Sequence, residues 1–185
     1  DDAEVRRVSI SNLGLRAREI ELTSYAEIVL APDAADAAHP AFSKMFVQTE
    51  FDAGAGALLA TRRPRSAADA PVWAAHLAVV EGESTGDVQF ETDRARFLGR
   101  GRSTRDPAGL NADGPLSGTT GAVLDPIFAL RTRIRLAPGQ SASVSFTTLV
   151  ATSRARAFEL ADRYHDTHAA QRALDMLLEY APQRK

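Results

Sequence analysis

Apolar and polar residues alternate along most of the chain, which is the pattern of strands that bury one face. The clearest stretch is residues 18–30, where Ile20, Leu22, Ile28 and Leu30 fall on even positions and charged or hydroxyl side chains on odd ones. Residues 4–12 carry a shorter version of the pattern and end in a turn sequence. Together the two stretches predict an antiparallel hairpin.

Further stretches are predicted to be strands, at residues 43–52, 57–63, 71–80, 87–91, 126–136 and 141–151. A Pro-Gly pair lies between the last two and favours a turn, so they predict a second hairpin. In the first arm of that hairpin, apolar residues alternate with Arg131, Arg133 and Arg135, which predicts one core face and one wet face. Residues 33–40 are alanine-rich and end in a proline, and are expected to hold at most a helical turn or an excursion loop.

The spacing of apolar residues changes after residue 151 to a helical period of about 3.6. Ser153 can cap a first helix, and a second is predicted to follow from Asp166 or Thr167. The predicted fold class is therefore mainly β, with an antiparallel β-sandwich over residues 1–151 and helices over residues 152–185. The pattern leaves open whether the helices pack on their own sheet or lead to a neighbouring domain.

Composition excludes several functional classes. A chain of 185 residues with a net charge of −2 fits one domain and does not fit a general nucleic-acid binder, which usually carries a strong basic excess. No apolar run approaches the ~20 residues of a membrane-spanning helix, so direct membrane insertion is not expected. Without cysteine there is no disulfide frame and no thiolate zinc site, and no cofactor is predicted. Because the chain begins with Asp1 instead of Met, it is expected to be a piece of a longer protein.

Arginine is concentrated in residues 91–107, here called the arginine loop, and a glycine-rich run continues it to residue 121. Guanidinium groups offer planar donors to carboxylate, phosphate or sugar oxygens, and glycine lets the backbone approach a ligand closely. The arginine loop is therefore the predicted binding site for an oxygen-rich ligand. The alternative is a solvated basic loop whose arginines pair with Asp93, Asp106 and Asp113. Its arginines are Arg94, Arg96, Arg100, Arg102 and Arg105.

The sequence evidence for catalytic groups is weaker than the evidence for the arginine loop. Asp93 could pair with Glu50 or Asp125 as acid and base across a glycosidic bond, but the sequence fixes none of the separations. His165 and His168 have a spacing that can ligate metal, yet no carboxylate cluster accompanies them, so a surface pair is preferred and no metal site is predicted. Neither a nucleophile elbow nor a P-loop occurs. The isolated chain is not predicted to be catalytic.

Six pieces of the chain occur in the order of a known family: EVRRVSISN, REIELTSYAEIVLAP, HPAFSKMFVQTEF, ALLATRRPR, FETDRARFLGRGR and GPLSGTTGAVLDPIFALRTRIRLAPGQ. They resemble the sandwich domain of the cellobiose-phosphorylase-like glycoside phosphorylases, most closely in the version found in cyclic β-1,2-glucan synthetases. In that family an antiparallel supersandwich, galactose-mutarotase-like in fold, precedes linker helices and an (α/α)6 barrel with the catalytic carboxylate. The resemblance implies that residues 152–185 are a linker toward such a barrel, and that the chain begins partway through the sandwich.

The resemblance also bears on the arginine loop. In relatives the sandwich leans over the mouth of the barrel, and the segment similar to residues 93–100 lies toward that interface. With Arg102 added from the arginine pattern, the candidate residues for contact with carbohydrate, phosphate or the barrel are Asp93, Arg94, Arg96, Phe97, Gly99, Arg100 and Arg102.

Two functional hypotheses follow from the resemblance. In the first, the chain is an accessory carbohydrate-handling domain of a membrane-bound cyclic β-1,2-glucan synthetase. It positions a β-glucan oligosaccharide against the barrel of the same polypeptide, on the cytoplasmic side of the bacterial inner membrane. In the second, it is a purely structural interdomain module whose arginines form salt bridges with the barrel and touch no sugar.

Overall fold

Two antiparallel sheets form the framework of the protein in the computed structural model, which describes residues 2–64, 66, 69–111, 114–166, 172 and 175–176. Its strands are β1 (Ala3–Ser11), β2 (Arg18–Thr23), β3 (Ala26–Glu27), β4 (Val47–Asp52), β5 (Ala57–Arg62), β6 (Trp73–Glu81), β7 (Glu83–Ser84), β8 (Gln89–Asp93), β9 (Pro126–Leu136) and β10 (Ser141–Ala151). Its helices are α1 (Asp33–Ala38), α2 (Pro40–Lys44), α3 (Arg94–Leu98), α4 (Ala108–Asn111) and α5 (Arg154–His165). The predicted mainly β fold class is confirmed.

The first sheet has the strand order β1, β10, β6, β5, β4, and all its neighbours are antiparallel. The first strand of the chain thus pairs with the last one, since Ala3 faces Leu149 and Ser11 faces Ser141. Strands β5, β6 and β10 are buried along most of their length because both faces of the sheet are covered. This explains why residues 57–63 and 71–80 are nearly continuous apolar runs instead of alternating ones.

The second sheet is organised around β9, which pairs with β2, β3, β7 and β8. The strands β2 and β3 continue one register along β9, because Arg18 faces Leu136 and Ala26 faces Phe128. Between them the Ser24 hydroxyl accepts a hydrogen bond from a backbone amide of β9 (3.0 Å) in place of a backbone carbonyl. The long strand predicted at residues 18–30 is therefore one extended stretch with a local interruption.

The described residues form four layers: α5, the first sheet, the second sheet and α3. The main core lies between the two sheets, with Leu58, Val144, Phe128, Leu130 and Ile134 at its centre. A second apolar cluster lies between α5 and the outer face of the first sheet. A third, smaller cluster lies between α3 and the outer face of β9. Helices α5 and α3 therefore each cover a sheet face that would otherwise be exposed to water.

Both predicted hairpins are wrong, and for the same reason. Strands β1 and β2 lie in different sheets, as do β9 and β10, so each short connection crosses the sandwich instead of closing a hairpin. The two connections meet at one corner, where the Asn12 amide donates to the Gln140 carbonyl and the Gly139 amide donates to the Asn12 carbonyl, both at 2.9 Å. The buried Asn12 side chain also donates to the carbonyls of Arg16 and Leu136. A turn sequence shows that the chain reverses, but not which sheet it enters next.

Helix α5 packs back on the first sheet, one of the two alternatives for the predicted helices. It begins after Ser153, whose hydroxyl accepts a hydrogen bond from the Arg156 amide (3.1 Å). Its buried side chains are Ala157, Leu160 and Ala161. The second predicted helix falls on residues that lie largely outside the described part. Of the helices that are described, none combines the length and apolar content needed to cross a bilayer.

Candidate functional site

The arginine loop begins with a short, well-capped helix. Asp93 caps α3, because its Oδ1 accepts hydrogen bonds from the amides of Ala95 (2.8 Å) and Arg96 (3.4 Å). Gly99 ends α3 with φ of 80°, a conformation that favours glycine, and a Cβ there would lie 2.7 Å from the Cβ of Ala108. Two of the predicted site residues, Asp93 and Gly99, therefore fix the shape of the loop.

Phe97 anchors the arginine loop to the second sheet. Its side chain is 3% exposed and packs with Leu98 against Ile127 and Ala129 on the outer face of β9. The ring also stacks on Tyr25, with centroids 5.4 Å apart and planes at 29°. The predicted site residue Phe97 is therefore part of the interior, and it presents no free face on which a sugar ring could stack.

Arg94 belongs to a chain of ionic and hydrogen-bonded contacts inside the domain. Its Nε donates to the Tyr25 hydroxyl (3.1 Å) and to Glu27 Oε1 (3.0 Å), and its Nη1 lies 3.5 Å from Asp125 Oδ2. Lys44 Nζ donates to the other oxygen of Asp125 at 2.8 Å. The hydrogen bond from Tyr25 is the main reason that the pKa of Glu27 lies below its ordinary value, with Arg94 acting in the same direction. The contacts of Arg94 therefore join the loop to β3 and α2.

The other predicted arginines lie on the surface. The Arg96 side chain is 61% exposed, and its Nε lies 3.7 Å from Asp93 Oδ2. Arg102 pairs with Asp106 at 3.4 Å, whereas the exposed Arg100 side chain has no hydrogen bond or ion pair with any residue that the structure describes. Arg100 and Arg102 line a cleft of about 410 Å³ together with Arg94 and Asp125. The candidate residues thus divide into an internal set and an exposed set, and the exposed set is Arg96, Arg100 and Arg102.

The alternative of a self-paired basic loop holds only in part. The predicted pairs with Asp93 and Asp106 are present, but both are partly exposed contacts of the kind that adds little to stability. Asp113 lies outside the described residues. Arg100 therefore retains its full set of donors for a ligand or a protein partner.

The sequence pattern missed Arg131 as a structural residue. It was expected on a wet face with Arg133 and Arg135, but its side chain is only 4% exposed because the arginine loop and α4 cover that part of β9. Its guanidinium donates to Thr23 Oγ1 (3.2 Å), to Gln89 Oε1 (3.4 Å) and to the carbonyl of Gly109. Only the second half of β9 has the predicted wet face. No periodic signal could identify this residue, since the cover comes from a distant loop.

Glu91 is a second residue that sequence reasoning did not single out. The residue is 1% exposed, and its Oε1 accepts hydrogen bonds from the amides of Thr92 and Asp93, both at 2.9 Å. The Ser117 hydroxyl donates to the other oxygen. Glu91 therefore holds the glycine-rich run against the start of the arginine loop, through neutral donors that satisfy a buried carboxylate.

The glycine-rich run is also tied to the edge of the first sheet. Gly121 and Thr49 exchange two backbone hydrogen bonds, at 2.8 and 2.9 Å. The Thr49 hydroxyl meets the Thr92 hydroxyl at 2.7 Å, and Thr92 donates to the Thr119 carbonyl at 2.8 Å. The glycine-rich run, which has no hydrophobic period, is thus a connection that hydrogen bonds hold in place between the two sheets.

The carboxylates of the two-acid hypothesis have separate structural contacts. Asp93 caps α3, Asp125 pairs with Lys44, and Glu50 receives a hydrogen bond from Arg154 at 2.8 Å. His165 contacts the carbonyl of Ala55, and its predicted companion His168 lies outside the described residues. Within the part of the chain that is described, no group of three or more His, Asp or Glu side chains could hold a metal ion.

Comparison with known proteins supports the resemblance drawn from the six sequence pieces. Residues 1–167 match the family described as glycosyl hydrolase 94, supersandwich domain. The chain is also 45% identical over 163 residues to the cyclic beta-(1,2)-glucan synthase NdvB of Rhizobium meliloti (strain 1021). That match covers 88% of this chain and 6% of the relative, so the chain spans a small fraction of the relative's length.

Proposed function

Because the chain belongs to the glycosyl hydrolase 94 supersandwich family, we propose that it is the accessory carbohydrate-handling domain of a cyclic β-1,2-glucan synthase. In this proposal it positions a β-glucan oligosaccharide against a catalytic (α/α)6 barrel of the same polypeptide. The similarity to a protein named as a cyclic beta-(1,2)-glucan synthase supports the choice of glucan. The site lies on the cytoplasmic side of the bacterial inner membrane, within a larger membrane-bound protein.

The observation that carries the proposal is the exposed set of arginines on a rigid support. The loop is held in place by contacts of Phe97, Arg94 and Glu91 with the rest of the domain. Two other side chains, those of Arg96 and Arg100, extend from it into solvent. Donors held in place by a rigid element lose little conformational freedom when they bind hydroxyl or phosphate oxygens. The Arg100 donors are free for such contacts within the described part of the chain.

One observation favours the alternative of a structural interdomain module. Carbohydrate platforms use exposed aromatic faces, but around the arginine loop Tyr25 and Phe97 stack on each other. Trp73, the single tryptophan, is half-buried in the cluster beneath α5 on the opposite side of the sandwich. In this alternative, Arg96 and Arg100 form salt bridges with carboxylates of the barrel and contact no sugar.

The isolated chain is expected to release no glucose 1-phosphate from sophorose or longer β-1,2-glucans, and to hydrolyse neither. The physical reason is that Asp93, Glu50 and Asp125 are each held by structural contacts, so no acid and phosphate site is assembled. A coupled assay of glucose 1-phosphate, with a hydrolysis assay beside it, measures this. Turnover above background that disappears in Asp93→Asn would revive the two-carboxylate hypothesis.

Arg96→Ala and Arg100→Ala are expected to impair the full-length synthase much more than they destabilise this domain. Exposed side chains usually change the free energy of unfolding by less than about 0.5 kcal/mol, whereas loss of a charge-assisted contact costs about 1.5–3 kcal/mol. That contact energy corresponds to a fall in activity of roughly ten- to a hundredfold. Arg6→Ala is a matched control, because Arg6 is exposed on β1 and pairs with Glu4 of the same strand.

The two functional candidates give different results in a double-mutant cycle. Coupling between Arg100 and a barrel carboxylate, measured without substrate, would support the interdomain module. Coupling that appears only when glucan is bound would support direct handling of the sugar. Unchanged activity in both arginine variants would contradict the assignment of this surface altogether.

A further inference from the structure

Two leucines are almost fully exposed at the corner where the β1–β2 and β9–β10 connections meet. Leu13 and Leu15 are 92% and 95% exposed, the largest fractions among the large apolar residues that the structure describes. Gly14 lies between them, and residues 13–15 are here called the leucine tip. Ala17 and Pro138, in the same two connections, are also exposed. Apolar side chains that are grouped on the surface in this way are typical of an interaction site.

The buried Asn12 holds the leucine tip in one conformation. Its Oδ1 accepts a hydrogen bond from the Gly14 amide (3.0 Å), and its Nδ2 donates to the carbonyl of Arg16 (2.8 Å). The same Nδ2 donates to the carbonyl of Leu136 at 3.0 Å, which ties the tip to the end of β9. Because the tip is ordered before it meets a partner, its docking costs little conformational freedom.

Positive charge without negative charge lies beside the leucine tip. Arg16 and Arg18 are both exposed, and neither side chain forms a hydrogen bond or ion pair with any residue that the structure describes. Residues 12–18 and 137–140 contain no acidic residue. A partner surface that is apolar at its centre and acidic at its rim is therefore complementary to the tip.

The same features disfavour two other occupants. In a symmetric contact of two copies through the tip, the arginines of one copy would face those of the other, which is unfavourable. A lipid surface is usually met by Trp or Tyr side chains at the interface, and residues 12–18 and 137–140 contain neither. A pocket on a protein, wide enough for two leucines, fits the tip better.

The small size of the leucine tip favours a partner within the same polypeptide. Independent complexes usually have about 20 residues or more on each side of the interface, and the tip with its arginines has far fewer. Linkage in one polypeptide raises the effective concentration of a partner domain to about millimolar, so a small contact suffices. In the similar glucan synthase, the matching segment is 6% of the length, which leaves most of that protein for other domains.

The leucine tip lies at the far end of β9 from the arginine loop. Asp93 faces Pro126 at the first residue of β9, whereas Asn12 is bonded to Leu136 at the last. The strand has 11 residues, and a rise of about 3.4 Å per residue places its two ends roughly 35 Å apart. A partner at the tip therefore occupies a different surface from one at the arginine loop.

We propose that the leucine tip docks into an apolar pocket with an acidic rim on another domain of the same polypeptide. Leu13 and Leu15 enter the pocket, and Arg16 and Arg18 pair with carboxylates at its rim. The proposal rests on the proposed function only in taking this chain as one domain of a longer synthase. It does not require the arginine loop to contact sugar or the barrel.

Hydroxyl-radical footprinting tests the docking, because the oxidation rate of a leucine side chain reports its exposure to water. Leu13 and Leu15 are expected to be oxidised about tenfold more slowly in the full-length synthase than in the 185-residue chain, since water is excluded from a docked side chain. Equal rates in the two proteins would overturn the proposal.

Leu124 separates this result from the proposed function, because it is 78% exposed and adjoins Asp125 in the cleft of the arginine loop. Protection of Leu124 without protection of Leu13 and Leu15 would overturn the docking of the tip and leave the barrel contact standing. Protection of Leu13 and Leu15 alone would support the docking and count against the barrel contact.

Charge reversal tests the acidic rim. Arg16→Glu combined with Arg18→Glu is expected to raise the oxidation of both leucines in the full-length synthase about tenfold, to the rate of the isolated chain. Arg16→Lys combined with Arg18→Lys keeps the charge and is expected to keep the protection. Both pairs of substitutions are at exposed positions, so the isolated variants are expected to melt like the unmodified chain. Protection that survives charge reversal would overturn the proposal.

Two measurements on the 185-residue chain test the other occupants. Co-sedimentation with vesicles of phosphatidylcholine and phosphatidylglycerol tests a lipid surface, and analytical ultracentrifugation of the chain alone tests a second copy. Neither vesicle binding nor a dimer is expected. Vesicles or a dimer that slow the oxidation of Leu13 and Leu15 would overturn the assignment of the partner.

Discussion

Acidification from neutral pH to about pH 4 is expected to lower the free energy of unfolding of this domain by about 3 kcal/mol through His76 alone. His76 is buried, with 3% of its surface exposed. It lies nearly parallel to the rings of Phe128 and Phe146, with centroids 5.7 and 6.1 Å away. Its two nitrogens form hydrogen bonds with the hydroxyl groups of Ser24 and Thr148, both at 2.8 Å.

The direction of the effect follows from the neutral state of this imidazole. Burial lowers the pKa of His76 from its ordinary value of 6.5 to about 4, and the positive charge of Arg6 acts in the same direction. Between these two pH values the unfolded chain binds a proton that the folded chain does not, so stability is complete above pH 6.5 and falls until about pH 4. Each tenfold difference in proton affinity is worth about 1.4 kcal/mol, which gives the total of about 3 kcal/mol.

Urea unfolding at a series of pH values measures this loss in the unmodified chain and in His76→Gln, which cannot titrate but keeps a donor and an acceptor. The two curves are expected to converge as the pH falls, because only the unmodified chain loses the contribution of His76. His39→Gln is the control, since it removes an exposed imidazole on the linker between α1 and α2. Parallel curves for His76→Gln and the unmodified chain, or a His76 ring proton that titrates near pH 6.5, would contradict the prediction.

Phe97→Ala is expected to destabilise the domain by about 3–5 kcal/mol, which is the usual cost of deleting a buried phenylalanine ring. The deletion removes the contacts of α3 with Ile127 and Ala129 and leaves Tyr25 without its stacking partner. The arginine loop should then detach before the rest of the sandwich unfolds, since it has no other apolar anchor of this size among the described residues. Trypsin is therefore expected to cut at Arg96, Arg100 or Arg102 much faster than in the unmodified chain.

Phe42→Ala is the matched control for the Phe97 deletion, because the same ring is removed at a position that is 48% exposed. It is expected to lose less than about half as much stability, since about half of its surface is already exposed to water in the folded domain. Equal losses in the two variants would show that Phe97 is not a specific anchor. Unchanged trypsin cleavage in Phe97→Ala would show that polar contacts such as those of Arg94 hold the loop without it.

Sequence patterns predicted the positions of the longest strands well. The ranges 126–136 and 141–151 match β9 and β10 residue for residue, because β-forming residues continue to their ends and a Pro-Gly turn separates them. The pairing of those strands could not be read in the same way. Periodicity records whether a residue faces the core, and both sheets of a sandwich share one core, so the sheet to which a strand belongs leaves no local signal.

The candidate site shows a similar division. The arginine and glycine content of residues 91–107 correctly marked a loop with several exposed guanidinium groups, of which Arg100 is the clearest. The sequence could not show that Phe97 and Arg94 serve the interior, because their partners Ala129 and Glu27 are distant along the chain. Arg131 was misplaced for the same reason, since α4 contacts it from a distant part of the chain.

The pairing of β1 with β10 determines when this domain can complete its fold during translation. Ala3 faces Leu149, so the first strand cannot find its only neighbour in the first sheet until nearly the whole sandwich has been translated. At about 5–20 residues per second, that wait is on the order of 10 s. Throughout it, the edges of β1 and β6 that β10 will cover remain open to other chains. We therefore expect nascent chains that stop before residue 141 to depend on chaperones, and completion of β10 to end this dependence.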